Sequence, residues 1–208
     1  MSSELPKETA RSDLNKASKQ SFFQRLCDPV RADYASFVNL VDLISEDYGA
    51  SNRDATMPGF RAVFTHRLGN WGYALRFAPL RILVKILYKF LYVYIRNQYT
   101  IELPRTTKVG RRLNIAHQGG IVIHPLSTIG DDCIVLQNVT IGAATGETFE
   151  NCPVLGNRVY VGCGAAIIGK VFIGDDVRIG PNVVVTMNVP AQSSVVSPPP
   201  RVIQFKRS

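Results

Sequence analysis

Few residues in this chain have side chains suited to chemistry. There are three histidines, His66, His117 and His124, and two of them fall in one short stretch, NIAHQGGIVIHPLSTIG (114–130). Imidazole changes charge near neutral pH and can take up and return a proton within one reaction cycle. His117 stands between Ala116 and Gln118, beside Gly119 and Gly120 and two residues after Ile115. A core histidine should occupy an inward aliphatic position, so His117 is expected on the outward side. His124 directly follows Ile123 and reads as a corner residue. His66, in THRLGNW, reads as a packing or hydrogen-bonding residue within helices. The four cysteines, Cys27, Cys133, Cys152 and Cys163, show neither CxxC nor Cys/His metal spacing. No metal site is therefore expected, and the thiols read as reduced, as in a cytoplasmic protein.

The scaffold that would hold His117 is written in a period of six. Large aliphatic residues stand at Val109, Ile115 and Ile121, then at Ile123, Ile129, Val135 and Ile141, and again from Leu155 through Val161, Ile167, Ile173 and Ile179 to Val185. Small or β-branched residues follow most of them four positions later, and glycine often follows directly. Neither an α-helix nor an alternating hairpin strand has this period; it is a hexapeptide β-solenoid. Three units close a triangular coil, and coils stack at the ordinary interstrand distance of about 4.8 Å. The frame slips by two residues between Ile121 and Ile123. A longer break between Ile141 and Leu155 predicts an extruded loop over 143–153, the kind of interruption that serves function.

Helices precede the solenoid. Asp28-Pro29 reads as a helix start, and Val30, Tyr34, Phe37, Val38, Val41, Ile44 and Tyr48 recur after it at helical spacing, with Gly49 able to end the helix. A second helix is predicted from Pro58, with Phe60, Val63, Phe64, Leu68, Trp71 and Leu75 on one face. A third, LRILVKILYKFLYVYIRNQ, carries Arg81, Lys85, Lys89 and Arg96. Those charges disfavour a membrane span and leave two settings for it, packed against neighbours or lying peripherally on an anionic membrane face. The expected organisation is a disordered arm over 1–20, a helical domain over 21–100, the solenoid over 101–192 and a tail over 193–208. The net charge of +8 favours anionic partners. It is spread over tail and helices without aromatic interleaving on an exposed sheet, so nucleic acid is not an expected partner.

The stretches GFRAVFTHRLGNW, KVGRRLNIAHQGGIVI, VLQNVTIGAATGETFENCP and VYVGCGAAIIGKVFIGDDVRIGPNVVV resemble the hexapeptide acyltransferases. Within them, the chain is similar to the serine acetyltransferase group and to acetyltransferases of capsule and exopolysaccharide synthesis. The resemblance implies an α+β fold, a helical N-terminal domain followed by a left-handed parallel β-helix. It implies acetyl-CoA as cosubstrate, no metal, and a homotrimer or a dimer of trimers with active sites between neighbouring solenoids. It places the general base at His117 and pairs it with Glu102, almost one coil below. It puts CoA against Gly142, Ala143 and Ala144, against Gly162, Cys163, Gly164 and Gly180, and against Arg201 and Lys206 in the tail. For the acceptor it suggests Cys152 and either Asp54 or Asp47.

Two positions depart from the serine-specific pattern. Cys152 stands where those enzymes carry a second histidine, and Ala116 where they carry an aspartate for the amino-acid substrate. On these departures the sequence favours a sugar hydroxyl of a capsular or exopolysaccharide as acceptor. Serine O-acetylation in cysteine biosynthesis is the alternative, and a non-catalytic solenoid scaffold a second one.

Overall fold

The computed structural model describes residues 31–144 and 151–205. Three helices come first: α1 (31–50), α2 (Pro58–Ala74) and α3 (Ala78–Tyr99). Short strands follow: β1 (Ile101–Glu102), β2 (Lys108–Val109), β3 (Asn114–Ile115), β4 (Ile121–Ile123), β5 (Thr128–Ile129), β6 (Ile134–Val135), β7 (Thr140–Gly142), β8 (Val154–Leu155), β9 (Tyr160–Val161), β10 (Ala166–Ile168), β11 (Phe172–Ile173), β12 (Arg178–Ile179), β13 (Val184–Val185) and β14 (Ser194–Val195). The expected arm over 1–20 and most of the expected loop lie outside the described residues.

From β1 to β13 every third strand stacks in parallel on the same face of a three-sided prism, and β14 stacks on β12. The first face runs β1-β4-β7-β10-β13, the second β2-β5-β8-β11 and the third β3-β6-β9-β12-β14. This is a left-handed parallel β-helix. Its axis is filled by the aliphatics at the six-residue period: Ile115, Ile121, Ile123, Ile129, Ile141, Leu155, Ile167, Ile173 and Ile179 are all essentially buried. The β-branched or small residues, among them Val139, Val159, Ala165 and Val177, complete the same core. Each coil thereby seals its apolar interior with the coils above and below, which is why short strands suffice. Strand β14 pairs with β12, so the solenoid extends into the segment expected to be tail.

The prism's corners explain the polar residues between strands. Where the second face turns into the third, Arg112, Asp132, Arg158 and Asp176 adopt left-handed backbone angles, φ 55–59°. Their side chains stack in alternating sign: Arg112 Nε donates to Asp132 Oδ1 at 2.5 Å and Arg158 Nε to Asp176 Oδ1 at 2.7 Å. Residues of one corner stack coil upon coil, so opposite charges there become neighbours as they do across a sheet.

The helices dock differently from expectation. Helix α1 leaves Tyr34, Phe37, Val38 and Val41 of its apolar stripe exposed, whereas Ile44 and Tyr48 are half-buried, Tyr48 with its ring 5.5 Å from that of Phe60. Its inward face carries Asp33, Leu40 and Asp47 instead. Polar anchoring decides this orientation. Asp33 accepts from the backbone N–H groups of Arg76 and Phe77 at 2.9 and 2.8 Å, meeting otherwise unpaired donors at the positive end of α3. Asp47 forms a buried ion pair with Arg67 of α2, 2.8 Å from Nε to Oδ2. Arg67 also donates to the carbonyls of Val109 and Gly110, tying both helices to the first coil. Helix α2 is buried on nearly every side rather than along one face, because it lies between the other helices and the solenoid. There a Cβ on Gly59 would stand 1.9 Å from the carbonyl oxygen of Ile115, so helix and strand touch backbone to backbone.

Candidate active site

His117 lies on the corner where the third face turns into the first. The strand register shows what is unusual there. The pairs Ile101↔Ile121, Lys108↔Thr128 and Asn114↔Ile134 make the first coil longer by two residues than the next, which Val122↔Thr140 defines. The two additional residues fall between Ile115 and Ile121, not between Ile121 and Ile123 as the spacing suggested. Both of those isoleucines point inward in β4. The lengthened corner, 116–120, projects His117 and Gln118 into solvent.

Its backbone is fixed from below. Gly119 N–H donates to Tyr99 O at 3.2 Å and Gly120 N–H to Thr100 Oγ1 at 2.9 Å. Gly119 and Gly120 have φ of 109° and 62°, angles that a side chain opposes. This answers why two glycines follow the histidine: they bend a corner that is too long for its coil.

Glu102 is on β1, stacked beneath Val122. Because its partner one coil up is Val122, Glu102 does not lie under His117, which precedes β4. It sits around the corner, on the outer side of the first face. No hydrogen bond joins it to His117 in the isolated chain among the described residues. The Glu102 carboxylate instead acts on the Tyr92 phenol of α3, which it helps, after burial, to push above its usual pKa.

The two candidate acceptor aspartates separate clearly. Asp47 is committed to Arg67 and is 1% exposed, which corrects its assignment as a substrate contact. Asp54 is exposed in the α1–α2 loop. Its Oδ1 accepts from Thr56 N–H at 2.7 Å and from Thr56 Oγ1–H at 2.6 Å, and these bonds hold its carboxyl below the ordinary range. A chain of contacts links this loop to the histidine corner. Arg61 donates from Nε to Ala55 O at 3.1 Å and from Nη1 to Tyr99 Oη at 2.8 Å, and Tyr99 O holds Gly119.

The remaining candidates divide between two edges of the prism. Gly162, Cys163, Gly164 and Gly180 share the edge of His117. A Cβ at Gly162 would meet Ile179 O at 2.8 Å, and one at Gly164 would meet Asn182 Oδ1 at 2.1 Å, so the next coil already requires small residues there. Gly142, Ala143, Ala144 and Cys152 lie on the next edge, where the first face turns into the second. At Gly142 the nearest atom to an added Cβ is His124 Cβ at 3.7 Å. Packing does not require glycine there, and its smallness leaves the edge open. Arg201 is exposed, and Lys206 lies outside the described residues.

The contact that sequence reasoning missed is on this second edge. Cys152 Sγ lies 2.9 Å from His124 Nδ1, which also accepts from Leu126 N–H at 3.3 Å. Leu126 N–H uses Nδ1 as an acceptor, and a neutral thiol at Cys152 can donate to the same atom. Burial raises the Cys152 pKa, which favours that neutral form. The signal was the pairing of His124 with Cys152 across the extruded loop, which linear spacing does not reveal. His66 contacts the solenoid rather than only helices. Its Nε2–H donates to Thr107 O at 3.0 Å, and burial pulls its pKa down to about 4.

Comparison with known proteins places this arrangement. No family model matches the chain. The chain is 34% identical over 172 residues to the serine acetyltransferase of Helicobacter pylori (strain J99), spanning 81% of this chain and 96% of that protein. The chain belongs to the serine acetyltransferase family. It is also 35% identical over 146 residues to the serine acetyltransferase of Synechococcus elongatus, and there it spans only 57% of the relative's length. Among solved structures, serine acetyltransferase isoform 3 of Entamoeba histolytica, in complex with cysteine, superposes with a TM-score of 0.69. It shares 24% identity and covers 92% of this chain and 71% of its own. The Brucella abortus serine acetyltransferase in complex with coenzyme A gives 0.68 at 22% identity, with coverage of 85% and 72%. At these identities the structures establish the fold. The relatives overturn the expectation of a capsular or exopolysaccharide sugar as acceptor: they are serine acetyltransferases.

Proposed function

We propose that this chain transfers the acetyl group of acetyl-CoA to the hydroxyl of serine, as in cysteine biosynthesis. The observation that carries this reading is the lengthened corner that presents His117 to solvent. An exposed imidazole on a fixed backbone accepts the serine hydroxyl proton as that oxygen attacks the thioester carbonyl. The tetrahedral intermediate then expels the CoA thiolate, and the imidazolium returns the proton to sulfur. Products are O-acetylserine and CoA-SH, and no metal or redox group is needed for the balance.

Asp54 is the carboxylate available to the serine ammonium group. Glu102 takes the place of the partner that orients His117, and closing the distance between them is a task for substrate binding or assembly. The two edges that carry the remaining candidates are separated by the first face, so one chain does not bring His117 together with Gly142 and Cys152. A trimer of solenoids, edge against edge, supplies both halves of each cleft. CoA would lie along that cleft, past Gly142, Ala143 and Ala144 and the exposed surface of Gly162, Cys163, Gly164 and Gly180, with Arg201 and Lys206 available to its phosphates.

The experiment is direct. Purified protein is incubated with acetyl-CoA with and without free serine, with thiol release and O-acetylserine followed together. Serine-dependent release with matching product supports the reading. Thioester binding without any acetylation of serine overturns it.

A further inference from the structure

We propose that the outward face of α3 docks on an anionic lipid surface. The helix packs against α2 and the solenoid through Val84, Tyr88 and Ile95. On the opposite side Ile82, Leu83, Ile86, Leu87, Phe90 and Tyr94 stand in solvent, with Leu83 63% and Phe90 73% exposed. At about 100° per residue these positions form one continuous stripe along the helix. Six such side chains expose on the order of 600 Å² together, at the upper end of what a soluble monomer leaves bare.

The charge around this stripe selects its occupant. Arg81, Lys85, Lys89 and Arg96 form a second stripe along α3, between the packed face and the apolar one. Lys85 lies over the Tyr73 ring, 4.2 Å from its centroid, and stays on the rim of the face. From residue 55 to residue 101 the sequence contains no aspartate or glutamate and seven arginines and lysines. Of these, Arg67 alone has an acidic partner within the described residues. A second copy seated on this face by twofold symmetry would bring two such cationic stripes together without counter-charge. A lipid headgroup layer supplies apolar depth and anionic charge at once, the setting in which a basic amphipathic helix lies in the plane of the surface. No helix among the described residues is long and apolar enough to cross a membrane, so the contact is lateral.

The test uses the full chain and no activity, so it stands apart from the serine reading. Protein is floated with phosphatidylcholine vesicles, with and without phosphatidylglycerol, at low and high salt. Light scattering follows particle mass in the absence of lipid. Expected are co-flotation only with phosphatidylglycerol, loss in high salt, and loss in Phe90→Asp. Partitioning should weaken by about 30-fold in the double variant Lys89→Gln/Arg96→Gln, at the usual free energy per surface cation. All of these side chains are exposed, and unchanged circular dichroism shows that the variants remain folded. Absence of co-flotation at low salt overturns the proposal. So does a fall in particle mass in Phe90→Asp, which would mean that a second copy covers the face.

Discussion

At the scale of single residues, position counts for more than type. His66, His117 and His124 are chemically alike, yet the fold assigns them different states. His66 is buried against Thr107 and its pKa falls from 6.5 to about 4. The unfolded chain therefore binds a proton more readily than the folded one between those values. Stability is fully present above pH 6.5 and declines as pH falls toward 4, by about 3 kcal/mol if this group acts alone. Denaturant midpoints measured across that range should fall for the wild type and stay flatter in His66→Gln. Ala116 offers a second test. If the site binds serine through charge, Ala116→Asp restores a carboxylate beside His117 and should lower the KM for serine by about tenfold or more. An unchanged KM would mean that the ammonium group is held elsewhere. The outward placement of His117 was legible from the sequence, because a core histidine would take an inward slot of the six-residue period. The His124–Cys152 contact was not, because strands β5 to β7 and the extruded loop separate the two along the chain.

At the scale of elements, the solenoid was almost fully readable and the helices were not. A six-residue period repeated over many units leaves one fold, since each unit needs its neighbours to bury its aliphatic residue. The two-residue slip was misplaced because Ile121 and Ile123 both point inward and look like a broken frame, and the end of the solenoid was set short of β14. Helix α1 was legible as a helix but its orientation was not: Asp33 and Asp47 direct their face inward and leave much of the apolar stripe exposed. Two buried hydrogen-bonded carboxylates fix an orientation that an apolar pattern alone cannot. Helix α2 holds the histidine corner through Gly59, whose backbone touches Ile115. Gly59→Ala should cost about 1–3 kcal/mol, because the obstructing atom is backbone and cannot rotate away. The same variant should also lower acetyl transfer, since the displaced strand leads directly into His117. Thermal unfolding and turnover measured on one preparation would check both.

At the scale of the whole molecule, the prism divides the candidate site. His117 lies at one edge, Gly142, His124 and Cys152 at the next, and the first face stands between them. Such a division is natural in a solenoid, which offers edges and faces but no interior cavity. On the proposed reading, this division makes assembly part of the chemistry. The account rests on His117 as the group that takes the serine proton, and one measurement addresses it most directly: serine-dependent release of CoA thiol by His117→Ala, with CoA binding and particle mass recorded on the same sample. The expected result is a loss of about 10²- to 10⁴-fold in turnover, with binding and mass unchanged. Wild-type turnover in that variant would contradict the account.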